Sequence, residues 1–354
     1  MRDAGYEVTL VGPHDGNTLV DDIRIRGLTV GAHNRLERMT RRPLAAFRAA
    51  RATQADLYHF HDPDFLPFGP LLARGGARVV YDAHEDLPAQ VAHKDWIPRV
   101  LRPMTGRAMA AVEATCIARI DAAVTVNDHI SKRLGMRQPR TVVVANYPRH
   151  EEIVPSRGWS ERERAVCYIG SITSSRGAQD LVRAMEHVEA ELYLAGSVSH
   201  PALLSELERH PGWSRVRYLG QINRRQVTDL LGRVRAGIMP LHPTPQFMQA
   251  YPVKMFEYMI AGIPIVATDM PHWRTFMDAH GCGVCVPPGS PEHLAAAINV
   301  LLDDPDAAAM GERGRAAARR LYSWESQASI LIGLYRDLLA KSAGASLTGE
   351  KPLV

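Results

Sequence analysis

Three groups of residues have the types and spacing to do chemistry. The first lies in YIGSITSSRGAQDL, where Gly170 and Ser171 follow a β-branched run and Arg176 follows five residues later. Small residues let a backbone come close to a ligand, and the planar fork of an arginine suits the oxygens of a diphosphate. A helix beginning near Gly177 would point its free N–H groups at the same turn, making an anion site. Taken alone, a glycine turn beside an arginine is as often a plain connection. The second group centres on Glu257 in QAYPVKMFEYMIAGIPIVATD, on a short helix closed by Gly262, with Pro264 leading into a strand. A carboxylate so placed can accept both hydroxyls of a ribose. The apolar neighbours Met255, Phe256, Met259 and Ile260 argue against a merely solvated charge. The third group is His59, His61, Asp62, Asp64, His84, Glu85 and Asp86, near two strand ends. These donors could ligate a metal, or the imidazole of His84 could bond a hydroxyl and steady developing positive charge. A lone strand-end histidine is more often structural.

Cysteine chemistry is weak. Of Cys116, Cys167, Cys282 and Cys285, only the last two form a CxxC, which offers two thiolates where a closed zinc site wants four ligands. Small residues in a tight turn and strand explain the pair. The segment RLERMTRRPLAAFRAAR carries Arg35, Arg38, Arg41, Arg42, Arg48 and Arg51. It reads first as a solvated helix face and second as a peripheral contact with an anionic membrane.

These groups need a scaffold, and the pattern supplies one. Short β-branched runs begin at Tyr6, Ile23, Asp56, Ala77, Asp121 and Thr141, mostly separated by helical stretches such as 43–54 and 97–119. The second half repeats the alternation: AVCYIG, ELYLAG, VRYLG, AGIMPL, IPIVATD and GVCVPP, with helical segments between them. Strands alternating with helices predict parallel sheets covered on both faces, here two doubly wound α/β domains. A polar stretch, YPRHEEIVPSRGWSERER, separates the halves. The expected domains are 1–153, with a terminal helix over 323–343 packing back on it and Ser323 as its N-cap, and 154–322. Residues 344–354 read as a disordered tail. A doubly wound domain opens on a central strand and a glycine turn. The chain begins at MRDAG, which reads as the end of a first helix, so the first strand is expected to be missing, with a start placed roughly 25–30 residues late.

Composition sets the outer bounds. At 354 residues the chain fits two domains, with 46% hydrophobic and 23% charged residues. A net charge of +4, from 42 basic and 38 acidic residues, suits small anionic ligands and argues against nucleic acid. No stretch is long and apolar enough to span a bilayer, and MRDAGYEVTL has no signal-peptide core, so a cytoplasmic location is expected by default.

The runs YIGSI…RGAQDLVRAM, YPVKMFEYMIAGIPIVATDMP, GCGVCVPPGSPEHLAAAI and YSWE, in that order, strongly resemble glycosyltransferase family 4, the retaining enzymes of GT-B fold. In the first half DLYHFHDPDFLP, RVVYDAHEDLPAQ and VVVANYP are similar to the same family, especially its bacterial surface-polysaccharide branch. The resemblance implies two Rossmann-like domains facing across a cleft. It implies a nucleotide-diphosphate sugar donor held by the C-terminal domain, a hydroxyl acceptor (glycan, lipid-linked or small molecule) and no metal on the diphosphate. By the same resemblance Glu257 holds the ribose and Gln249 stands where the family has another glutamate, facing the donor sugar. Val253 and Lys254 meet sugar and phosphates, although Pro252 before them has no N–H to give. Arg176 grips the diphosphate, Ser171 replaces a usual arginine for which Lys254 could compensate, and the base lies near Gly220 and Ile222. His84 falls beside the donor sugar, and Asp62 and Glu85 belong to the acceptor pocket. Two alternatives share the fold. A GT-B sugar-nucleotide epimerase would act without an acceptor, and a degenerate paralogue would bind a partner subunit instead of a nucleotide.

Overall fold

The computed structural model describes residues 1–29, 35–91, 97–153, 157–245 and 247–347, with side chains for all of these except 35–39, 91 and 341–347. The chain divides into two units, Met1–Ala145 with Gln327–Val354, and Asn146–Ser326. The expected boundary near Val154 lies outside the described residues.

In the first unit the strands are β1 (Thr9–Gly12), β2 (Thr18–Val20), β3 (Ile23–Gly27), β4 (Leu57–Phe60), β5 (Arg78–Ala83), β6 (Ala122–Thr125) and β7 (Thr141–Val143). They do not form the single doubly wound sheet expected from the sequence. β1, β3 and β2 make one sheet, while β4, β5, β6 and β7 make another that is parallel throughout. β1 and β4 are the edges of their sheets, and no described strand joins them. The hairpin between β2 and β3 was not anticipated. Asp21 and Asp22 form its turn, at φ of 49° and 62°. Short acidic side chains tolerate that left-handed conformation, and two such residues give the turn whose twist matches a tight hairpin. Leu66, Val79, Tyr81, Ile117, Ala123 and Leu134 centre the core beneath the four-stranded sheet.

The helix Trp324–Leu347 belongs to this unit from Gln327 onward. Ser323 Oγ accepts from Ser326 N at 3.2 Å, the geometry of an N-cap. Leu331, Leu334, Tyr335 and Leu338 are buried, and the Tyr335 ring meets Tyr6 edge-on at 5.9 Å. The helix runs to Leu347, past Gly344, where irregular chain was expected. Alanines at 343 and 345 are strong helix formers and offset a single glycine's penalty of about 1 kcal/mol.

In the second unit β8 (Ala165–Ile169), β9 (Glu191–Ala195), β10 (Val216–Gly220), β11 (Ala236–Met239), β12 (Ile265–Thr268) and β13 (Gly283–Val286) form one parallel sheet. Its order, β10-β9-β8-β11-β12-β13, reverses direction between β8 and β11. Connections leave the sheet in opposite directions there, so a crevice opens at the carboxyl ends of those two strands. β11 and β12 are buried along their whole length, as strands covered on both faces must be. Among the described residues, no helix is long and apolar enough to cross a membrane.

Candidate functional site

The crevice at β8 and β11 gathers the residues that the sequence marked as anion-binding. Gly170 follows β8 directly, at φ 129°, a conformation that side-chain-bearing residues rarely adopt. The neighbouring strand β9 ends in Gly196, whose N–H donates to the Gly220 carbonyl at the end of β10 at 2.7 Å. A methyl group on Gly196 would stand 1.9 Å from the Gly170 carbonyl oxygen, so only glycine lets these strand ends pack. Gly220 faces open space. The three glycines form a floor without side chains, and the middle one was not foreseen.

Two cations stand over it. A methyl group at Gly170 would meet Lys254 Nζ at 3.1 Å and Arg176 Nη1 at 3.7 Å. Arg176 ends the short turn Ser174–Arg176, which Thr173 caps by accepting from the Arg176 N–H at 3.2 Å. Its guanidinium lies 5.6 Å from the Phe247 ring centroid. Lys254 opens the helix Val253–Ile260, reaches back over the face of Tyr168 at 3.6 Å from the ring centroid, and is 6% exposed. Among the described residues its ammonium has no hydrogen-bond partner. Burial, and then the neighbouring Arg176 charge, pull its pKa down to about 7. Two like charges brought together, one of them dry, are an electrostatic demand for an anion. No side chain caps the N-terminus of the Val253–Ile260 helix, whose dipole adds to that demand.

Glu257 lies one turn further along this helix and is 8% exposed. Its Oε1 is held by Arg224 Nη1, and Arg224 Nε in turn reaches Glu152 at 3.1 Å. Glu257 is therefore buried and paired, not solvated. Arg224 follows β10 by four residues and was missed, because nothing in its local spacing connects it to a residue 33 positions away. Val253 is half-exposed at the first position of the helix, and Gln249 is exposed at the end of the turn Phe247–Gln249. Ser171 is exposed, and its carbonyl accepts from Tyr168 Oη at 2.9 Å. Ile222 packs partly against the core beyond β10.

In the first unit the structure brings His59, His61 and His84 together and leaves the acidic residues of that group apart. Asp62 caps the turn Pro63–Phe68 by accepting from Asp64 N at 3.1 Å. Asp86 pairs with His129 at 3.3 Å and Arg133 at 3.4 Å, and Glu85 is exposed. The carboxylate that joins the histidines is Asp82, which was not foreseen. Burial opposes its charge, but hydrogen bonds from His59 and His61 outweigh burial and hold its pKa well below the ordinary carboxylate range. Cys282 and Cys285 behave as packing residues. Burial raises their pKa values to about 12 and about 11, and the Cys282 thiol points at Met277 Sδ.

Comparisons with known proteins converge on this architecture. The glycosyl transferase 4-like domain matches residues 1–147, and glycosyl transferases group 1 matches residues 163–304. The chain belongs to the family 4 type of GT-B glycosyltransferases. The glycogen synthase of Mycobacterium tuberculosis is 25% identical over 327 residues, spanning 86% of this chain and 73% of that protein. A D-inositol 3-phosphate glycosyltransferase of Xylanimonas cellulosilytica is 26% identical over 48% of this chain and 41% of its own length. Among solved structures, the sucrose-phosphate synthase of Thermosynechococcus elongatus superposes with a TM-score of 0.75 at 20% identity, covering 96% of this glycosyltransferase and 91% of that chain.

Proposed function

We propose that this glycosyltransferase moves a sugar from a nucleoside diphosphate to a hydroxyl acceptor with retention at the anomeric carbon, the second unit holding the donor. The observation that carries the reading is the buried, unpartnered ammonium of Lys254 beside Arg176, over the glycine floor at the switch point of the sheet. A diphosphate answers that demand: its oxygens satisfy Lys254 Nζ, the Arg176 fork and the first turn of the Val253–Ile260 helix. Glu257 then receives the ribose hydroxyls, with Arg224 fixing the carboxylate by one oxygen. Gly220 and Ile222, at the open end of β10, border the base, and Gln249 faces the sugar.

As the sugar–phosphate bond breaks, positive charge grows on the sugar and negative charge on the leaving diphosphate. Lys254 and Arg176 stabilise the departing charge where it develops. The leaving phosphate takes the acceptor's proton. His84, Asp62 and Glu85 serve the sugar and acceptor side. Bacterial surface glycans are the acceptor class that the sequence resemblance favours.

Titration calorimetry of the purified chain with UDP, GDP and dTDP tests the donor site. UDP comes first because structures of the Anabaena HepE protein, with the same fold, contain UDP and UDP-glucose. Micromolar binding of one nucleotide, lost in Arg176→Ala, is expected. Binding of none of the three would remove the reading. Anomeric configuration of the product by NMR decides retention.

A further inference from the structure

The histidine cluster of the first unit has the shape of an unassigned metal site. β4 and β5 pair in parallel, with His59 opposite Val80 and Phe60 opposite Tyr81, so the next positions bring His61 level with Asp82. Because side chains alternate along a strand, His59 and His61 share one face, and Asp82 and His84 share the same face of the neighbouring chain. Their donor atoms converge. Asp82 Oδ2 lies 3.2 Å from His59 Nε2, 3.2 Å from His61 Nδ1 and 3.6 Å from His84 Nε2, while His61 Nδ1 and His84 Nε2 are 2.8 Å apart.

Hydrogen bonds alone serve this arrangement poorly. His61 Nδ1 carries either one proton or one lone pair, yet it faces both His84 Nε2 and Asp82 Oδ2. Asp82 Oδ1 is buried and has no hydrogen-bond partner among the described residues. Donor atoms of His59, His61 and Asp82 instead lie within 4.8 Å of one another, with His84 beside two of them. Ligands held about 2.0–2.1 Å from a tetrahedral zinc ion are separated from each other by about 3.3 Å, and Asp82 Oδ2 stands 3.2 Å from both His59 Nε2 and His61 Nδ1. The outer shell fits as well: the remaining ring nitrogen of His59, Nδ1, meets Tyr335 Oη at 2.5 Å, the contact that would fix the tautomer leaving Nε2 free for a metal.

We infer that His59, His61 and Asp82 bind a divalent first-row cation, zinc being the best match to a two-imidazole, one-carboxylate set whose fourth position stays open beside His84. Asp82 is 8% exposed, whereas the His61 and His84 side chains are 60% and 41% exposed, so the ion enters from solvent and rests against a buried anion. The ion pins the end of β4 to the end of β5. The inference does not depend on the donor reading.

The test uses the untagged full chain, stripped with chelator and titrated calorimetrically with zinc chloride. One equivalent is expected to bind, and Asp82→Asn and His59→Ala each to weaken binding by more than a hundredfold. Tyr335→Phe should weaken it about 10–100-fold, as loss of an orienting partner does. Cys285→Ser should bind as the unmodified chain does, which separates this site from the CxxC. Cobalt(II) added to the unmodified chain should give the intense visible bands of a four-coordinate ion, a readout that survives if a variant does not fold. Absence of stoichiometric zinc binding, weak six-coordinate cobalt bands, or full zinc affinity in folded Asp82→Asn would each overturn the assignment.

Discussion

Lys254 ties the donor site to pH in a way that can be worked out in advance. Its pKa is about 7 in the folded protein against an ordinary 10.5, chiefly because the ammonium is stripped of water and secondarily because Arg176 repels it. A diphosphate binds the charged form. At pH 7 about half of the free protein carries that charge, and at pH 9 only about one molecule in a hundred does. Affinity for UDP should therefore fall about fiftyfold from pH 7 to pH 9, and binding at pH 8 should draw about 0.9 proton from the buffer. The sign for folding is opposite to that for binding. Between about 7 and 10.5 the unfolded chain holds the proton and the folded chain does not, so stability rises with pH across that window. At roughly 1.4 kcal/mol per pH unit, the whole window amounts to about 5 kcal/mol. Lys254→Met should then raise the stability of the free protein at pH 6 by about 1–4 kcal/mol, since it removes a buried unpaired charge, while it weakens nucleotide binding. Calorimetry in buffers of different ionisation enthalpy reads the proton, and denaturant unfolding at pH 6 and pH 9 reads the stability. Proton uptake that persists in Lys254→Met, or a variant no more stable than the parent at pH 6, would refute the reasoning.

Gly196→Ala should destabilise the second unit by about 2–4 kcal/mol in urea unfolding, because the new methyl meets the Gly170 carbonyl at 1.9 Å and must push two strand ends apart. Arg224→Ala should leave the buried Glu257 without its partner and lower stability by about 1–2 kcal/mol, discounted because Arg224 is 40% exposed. The same variant should weaken UDP binding several-fold, with Arg224→Lys restoring part of both losses. In the first unit Glu113 is fully buried and held by Arg133. Arg133→Met should therefore cost about 3–5 kcal/mol, read by chemical denaturation.

How much of this was readable from the sequence depends on how far apart the cooperating residues lie. β11 and β12 announced themselves because each is a short apolar run beside a proline, and burial on both faces leaves no other use for such runs. Gly170, Arg176 and Glu257 carried a local signal of the same kind: each stands just beyond a strand or on a helix with an obvious stop. The hairpin at Asp21 and Asp22 was missed, although an acidic pair between two β-branched runs signals a tight turn. The split sheet of the first unit could not be read, since alternation of strands and helices says which segments are strands and not which edges meet.

Asp82 and Arg224 show the remaining limit from two sides. Asp82 carried a signal: an aspartate inside the otherwise apolar run RVVYDA has to be paired if it is to be buried, and its partner should sit at an even spacing or across the sheet. His84 is at that spacing, and parallel pairing with the HFH of β4 supplies the other two rings. Alternation along one strand and register across two therefore specify the cluster before any side chain is placed. Arg224 carried no such signal. Its role depends on how the helix that follows β10 is set against the Val253–Ile260 helix, an arrangement produced by packing over the whole sheet and by no local pattern. Residues brought together by a ladder of backbone hydrogen bonds can be matched from sequence once the strands are known. Residues brought together by helix packing need the fold itself.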